Sequence, residues 1–327
     1  MRETVVASVK SPPRSPLATP LPVVATVEGS FLARSEALRG LGWMLLANVL
    51  FATMALAARA ASRDTTWLEV GMSRAAMGAL VALVFAWGRN APLRTKRRGL
   101  SWARSIFGTL SMLATFYALS APELPLGDAV TLLATAPIFI AVLSGPILGE
   151  KPARVVWWVT AVAFAGIVLI AGPKLQGGTL PVGAALGAAM FSAVAMMFLR
   201  KMRSTAAGAS AESVEAITLH FSLVSLAVHL ALAIPTLSIP SPRTALLLAV
   251  TGLTGGLAQL AMTRAYALTE AAKLGAVSYV GTVLAQLGAV LLLDERPGSR
   301  QLMGAALVVG AGLVLAGSAA RDLRRAR

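Results

Sequence analysis

A few residues in this chain have types and spacing that could do chemistry. Glu69 and Arg74 sit within 65–88, a stretch that is otherwise almost wholly apolar. A lone charge in such a setting is costly and is a functional candidate by default. Five positions apart on a helix, the two project roughly 140° from one another and make a poor intrahelical pair. Each therefore needs a partner on another element, or water. Asp128 follows Leu-Pro-Leu-Gly, where a carboxylate caps free N–H groups and meets the positive end of a helix dipole. Glu69 and Asp128 are also the two candidates for proton coupling. His220 and His229, nine apart, fall on opposite helix faces and cannot ligate one metal together. Cysteine is absent, so thiolate chemistry, disulfides and Cys-ligated metals are excluded, and neither a metal nor a cofactor is expected.

Uncharged polar residues form a second group. Arg104, Gly108, Ser111, Thr115 and Ala118 recur at helical spacing, as do Gly252, Gly256, Gln259, Thr263 and Tyr266, and then Gly275, Ser278, Thr282 and Gln286. Small and polar stripes let helices approach closely, and a water-filled cavity needs the same faces. Asn48, Arg74, Tyr117, Gln259, Tyr266 and Gln286 are the candidates for lining such a cavity. Pro137, mid-segment and without an N–H, leaves the carbonyl of Leu133 unpaired and is the candidate hinge. The GxxxG runs at Gly145–Gly149, Gly183–Gly187 and Gly252–Gly256 read as helix packing.

The elements that must position these residues follow from composition. Of 327 residues, 57% are hydrophobic and 13% charged, too little charge to cover a water-facing surface. Stretches without Lys, Arg, Asp or Glu run 40–58, 105–122, 129–149, 155–173, 175–199, 216–242, 244–263, 274–293 and 301–320. Most reach the ~20 residues that cross a bilayer. With 65–88 they predict an all-α integral membrane protein of ten transmembrane helices. Residues 1–37, with Pro12, Pro13, Pro16, Pro20 and Pro22, read as a disordered Pro-rich tail; 321–327 is a basic tail.

The net charge of +15 has a topological reading. With ten spans and both termini cytoplasmic, the external side receives Arg59, Arg63, Lys174, Arg243, Arg296 and Arg300. Apart from Arg74, the rest of the 29 Lys and Arg fall on the cytoplasmic side, with Arg104 counted in the 89–104 loop. Cytoplasmic loops are enriched in this way, so the excess sets orientation and does not imply nucleic-acid binding. The cluster Arg94, Lys96, Arg97, Arg98 is a cytoplasmic anchor on this reading.

The chain also repeats itself. Phe116–Pro152 (FYALSAPELPLGDAVTLLATAPIFIAVLSGPILGEKP) and Ala265–Pro297 (AYALTEAAKLGAVSYVGTVLAQLGAVLLLDERP) share a Tyr-Ala-Leu-(Ser/Thr) start and an acidic-basic-Pro end. They lie five spans apart, so the second copy is upside down relative to the first. Inverted repeats of this kind belong to secondary transporters.

These segments, with WLEVGMSR, RSIFGTLSM and FAGIVLIAGP, resemble the EamA family of the drug/metabolite transporter superfamily over roughly residues 38–318. The sequence departs from the family pattern at Thr282, where the second copy often has proline. The resemblance implies two inverted five-helix halves, 38–173 and 174–320. It further implies alternating-access transport of a small organic metabolite, amino-acid-, nucleoside- or cofactor-like, across the cytoplasmic (inner) membrane of a bacterium. The competing class is an intramembrane enzyme acting on a lipid or peptide, but no HExxH, GxSxG or paired intramembrane aspartates occur. No GxxxxGK[ST] loop supports ATP-driven pumping. The expected partners are the lipid bilayer and a small-molecule solute, with a homodimer left open.

Overall fold

The computed structural model describes residues 22–121, 123–124, 129, 132–150, 152–171, 178–203, 211–271, 273–275, 277–281, 283–284 and 298–324. Among the described residues there is no strand. The helices are α1 (Pro22–Ala61), α2 (Trp67–Arg89), α3 (Arg98–Ser120), α4 (Ala136–Leu148), α5 (Arg154–Ala171), α6 (Thr179–Arg203), α7 (Val214–Ala233), α8 (Pro242–Leu268) and α9 (Ser299–Arg324). Further helical residues lie within 271–284. Among the described residues, five segments are long and apolar enough to cross a membrane: Glu36–Ala61, Trp67–Arg89, Thr179–Arg203, Val214–Thr236 and Pro242–Leu268. The regular structure of the described residues is thus helical, and the chain is a multi-pass membrane protein. α1 starts at Pro22, inside the segment expected to be disordered, and proline's fixed φ suits a first helical position.

Local chemistry sets the boundaries. Thr66 and Glu69 form a reciprocal capping box at the start of α2, and Asn90 in the left-handed region (φ 49°) closes its end. Ser213 caps α7 and Ser241 caps α8, the latter just ahead of Pro242. Gly149, φ 70°, ends α4 as a left-handed cap. The segment expected as one span over 129–149 is instead broken by a turn at 134–135. Pro137 therefore stands in the first turn of α4, not in the interior of a continuous helix. A first-turn proline sacrifices no intrahelical bond, which is why the break falls there. The segment over 216–242 also ends early, in a 3-10 turn at Ile234–Thr236 that contains Pro235.

Packing pairs α1 with α8, α3 with α6, α2 with both α7 and α8, α3 with α7, α4 with α6, and α5 with α9. At the α2–α8 crossing the backbones nearly touch: a Cβ on Gly256 would lie 3.0 Å from the Cα of Gly78. Gly252, packed on Met77 and the Ser73 carbonyl, completes this contact, so one GxxxG run does pack. The other two do not. Gly183 meets nothing within 4 Å, Gly187 meets only its own helix, and Gly149 serves as a cap. Large apolar side chains face outward, among them Trp87 at 86% exposure and Ile239 at 99%, as a lipid-facing surface requires.

Candidate functional site

The stripe Arg104, Gly108, Ser111 and Thr115 on α3 is a cavity wall. It lines a cavity of about 210 Å³, together with Phe51 and Met54 of α1, Arg74 of α2, Ser192 of α6, Phe221 of α7, and Gln259 and Met262 of α8. A second compartment of about 340 Å³ adjoins it. The two share Phe51, Met54, Ser111, Thr115, Ser192 and Met262. The second continues past Asn48, Pro137 and Tyr279 toward Leu119, at the far end of α3. The lining therefore runs from near the start of α3 to its end.

Two arginines dominate the first compartment. Arg74 is 6% exposed; its Nη2 donates to Gln259 Oε1 at 3.4 Å, and its guanidinium carbon lies 5.5 Å from the centre of the Phe221 ring. Gln259 in turn reaches Thr263 Oγ1 at 3.4 Å, and the Thr263 hydroxyl donates to the Gln259 carbonyl at 2.7 Å. Arg104 is 1% exposed, with its guanidinium carbon 4.3 Å from the centre of the same ring. Its Nη1 packs directly over Gly108, in the space a Cβ would take. Both Nε and Nη1 of Arg104 are buried without a hydrogen-bond partner. Counting Arg104 with the cytoplasmic loop charges is therefore corrected: it is a helix residue facing the same cavity as Arg74.

The remaining candidates are placed as follows. Asn48 lines the second compartment and donates to the Val277 carbonyl at 3.0 Å. Pro137 lines it too. Tyr117 makes an edge contact with Trp67 at 5.8 Å and lines neither compartment. Tyr266 also lines neither; it is buried in the main apolar core, and its carbonyl accepts from Arg200 Nη1 at 3.0 Å. The tyrosine that does reach the cavity is Tyr279, whose buried hydroxyl has no partner. Glu69 lies outside both linings. It accepts from the Ser238 N–H at 2.8 Å, from the Ser238 hydroxyl at 3.1 Å, from the Thr66 N–H at 2.9 Å and from Thr65. These bonds tie the start of α2 to the segment after α7. Asp128, Thr282 and Gln286 lie outside the described residues.

His220 and His229 have separate settings. His220 Nδ1 shares a hydrogen bond with Ser105 at 2.8 Å, while His229 Nδ1 bonds the Ser225 carbonyl at 2.8 Å and its ring packs on Gly71. Among the described residues no group of three metal-ligating side chains occurs.

At the end of the bundle where α2, α4, α6 and α8 terminate, two carboxylates, Glu150 and Glu215, meet arginines. Glu150 Oε1 accepts from Arg200 Nε at 2.9 Å, and Glu150 Oε2 accepts from the Ala271 N–H at 3.1 Å. Glu215 lies 3.6 Å from both Arg89 and Arg264, and Arg264 also sits over the Trp43 ring at 4.9 Å. Glu212 accepts from the backbone N–H groups of Lys96 and Arg97, docking the basic loop onto the chain after α6.

Known proteins fit this architecture. The sequence profile of the EamA-like transporter family matches residues 38–172 and again 179–317. A riboflavin transporter of Vibrio cholerae is 28% identical over 277 residues, covering 83% of this chain and 91% of that protein. A pseudopaline exporter of Pseudomonas aeruginosa is 27% identical, covering 83% and 93%. An S-adenosylmethionine uptake transporter of Rickettsia felis is 25% identical, covering 88% and 96%. One solved crystal structure superposes with a TM-score of 0.71 at 22% identity, covering 86% of this chain and 98% of that one, and so shares the fold. These likenesses point to a transporter and not to an enzyme.

Proposed function

Because the chain belongs to the EamA-like transporter family, we propose that it moves a small organic metabolite across the bacterial cytoplasmic membrane by alternating access. The moving parts are two inverted five-helix halves, 38–173 and 174–320, with cytoplasmic tails at 1–37 and 321–327. One observation carries the reading: the central cavity takes its walls from both halves, Arg74, Arg104 and Ser111 from the first and Ser192, Phe221 and Gln259 from the second. A solute held there touches both parts that must rock against each other.

The helix pairing agrees with this. Exchanging α1 with α6, α2 with α7, α3 with α8 and α5 with α9 turns the α1–α8 pair into α6–α3, and the α2–α8 pair into α7–α3. The α2–α7 and α5–α9 pairs map onto themselves. The repeated family match, once in each half, favours the same symmetry. Arg74, Asn48 and Gln259 are the substrate-facing polar groups, and Pro137, beside the break before α4, is the hinge. The paired charges around Glu150 and Glu215 close the cytoplasmic end.

The named relatives carry riboflavin, S-adenosylmethionine and pseudopaline, so the solute class is a polar metabolite of moderate size. The test is counterflow in proteoliposomes loaded with unlabelled riboflavin, S-adenosylmethionine, nucleosides or amino acids. Accumulation of the labelled solute above protein-free vesicles is expected for at least one class. Absence of counterflow for all of them overturns the reading.

A further inference from the structure

Arginine stays protonated at any accessible pH, so a buried arginine cannot escape its charge by releasing a proton. It must be met by a carboxylate, by polar acceptors or by a ligand. At the end of the bundle this rule is kept: Arg200 meets Glu150, and Arg264 meets Glu215. In the cavity it is not. None of the described residues lining the compartment that holds Arg74 and Arg104 is acidic. Glu69, on the same helix as Arg74, is taken up by Ser238, Thr65 and Thr66. Gln259 supplies Arg74 with one neutral acceptor at 3.4 Å, and Arg104 has buried Nε and Nη1 with none. The Phe221 ring lies between 4 and 6 Å from both cations, and a ring face attracts a cation less strongly than an oxyanion does.

Resting on the transport reading of this cavity, we propose that its solute is an organic anion. Its oxyanion, a carboxylate or a phosphate, is held between Arg104 and Arg74. The rest of the molecule lies along Phe51, Met54, Met112, Phe116 and Met262, apolar side chains among which the three methionine thioethers adapt to different shapes. The unpaired hydroxyl of Tyr279 in the adjoining compartment offers a hydrogen bond to a polar group at the other end. Two like charges held together without a counter-ion raise the free energy of the empty cavity, and an anion relieves both at once.

The test uses the full chain in detergent and two matched series: phenylacetate with phenylacetamide, and phenyl phosphate with phenol, alongside inorganic phosphate. Melting temperature is read for the wild type, Arg104→Gln and Arg104→Lys. The wild type should be stabilised by at least one of the organic anions and by neither neutral partner. Selective stabilisation by phenylacetate identifies a carboxylate site, and selective stabilisation by phenyl phosphate or inorganic phosphate a phosphate site.

Arg104→Gln should weaken the effective anion affinity by roughly thirtyfold or more, since one member of a buried charge pair is lost. Its ligand-free melting temperature should equal or exceed that of the wild type, because losing the contact with the Phe221 ring is offset by removing a buried cation whose Nε and Nη1 have no hydrogen-bond partner. A purely structural arginine gives the reverse pattern, a lower melting temperature with anion response intact. Arg104→Lys keeps the charge and should retain part of the response. The proposal fails if no anion stabilises the wild type at millimolar concentration, or if acids and neutral partners stabilise it equally. Anion-dependent stabilisation without counterflow keeps the site and removes the transport reading. Counterflow of neutral solutes that is unchanged in Arg104→Gln keeps transport and removes the anion site.

Discussion

Arg200 and Arg104 are the same side chain in two settings. Arg200 lies at the end of α6, one fifth exposed, with Glu150 at 2.9 Å and the carbonyls of Tyr266 and Ala267 within reach. Arg104 lies within α3, 1% exposed, with two nitrogens that bond to nothing. At the end of the bundle Arg200 is thus committed to protein acceptors, while in the centre Arg104 keeps two nitrogens uncommitted. Charge that is fully paired holds a structure together; charge that is left over is available to something that comes and goes.

The contrast breaks first on transport itself. Arg104→Gln should reduce solute-dependent counterflow by roughly thirtyfold or more, whereas Lys201→Gln, on an exposed side chain at the end of α6, should leave it unchanged. Stability should run the other way. Arg200→Gln strands Glu150 among backbone groups and should cost about 2–3 kcal/mol, below the full penalty of a buried pair because both partners are partly exposed. It would appear as a lower midpoint in thermal unfolding. If Arg104→Gln proves the more destabilising of the two, the distinction between paired end and free centre is wrong.

A finer test moves Arg104 without removing it. A methyl group at Gly108 would occupy the place of its Nη1 and come within 2.8 Å of the Phe221 ring. Gly108→Ala should therefore weaken anion binding several-fold while keeping the charge. Its control is Gly183→Ala, where a Cβ meets nothing within 4 Å; that change should leave binding alone and stabilise by up to ~1 kcal/mol through helix propensity. Smallest of all, Gln259→Ala removes the single long bond to Arg74 and should change stability by about 1 kcal/mol or less by thermal melting.

The membrane class and the helical elements were legible because uncharged apolar runs of hydrocarbon length, repeated along a chain, are what a bilayer selects and water does not tolerate. Arg74 was legible for the same reason, as a cation inside an apolar run. Arg104 was legible only in part: its register with Gly108, Ser111 and Thr115 places it on the polar face of α3, yet it follows Arg97 and Arg98 closely and so also counts as the last of the loop cations. Phe221 left no trace at all, since an aromatic ring in an apolar helix is indistinguishable from core. Tyr117 and Tyr266 stand out by the symmetry of the repeat, which fixes the positions of backbones and says less about which way a side chain turns. Tyr279 shows the limit of that symmetry: it reaches the cavity from the second repeat without belonging to the shared motif.

Glu150 has one further consequence. One of its oxygens holds Arg200 at the end of α6 and the other holds the backbone at Ala271, so a single carboxylate bridges the proposed first half to two places in the second. On the proposed alternating-access reading, parting the halves at this end breaks both bonds of this one side chain. On that reading the rate of opening varies exponentially with the free energy of one residue's bonds, and a change at Glu150 retunes turnover without altering a residue that lines either compartment.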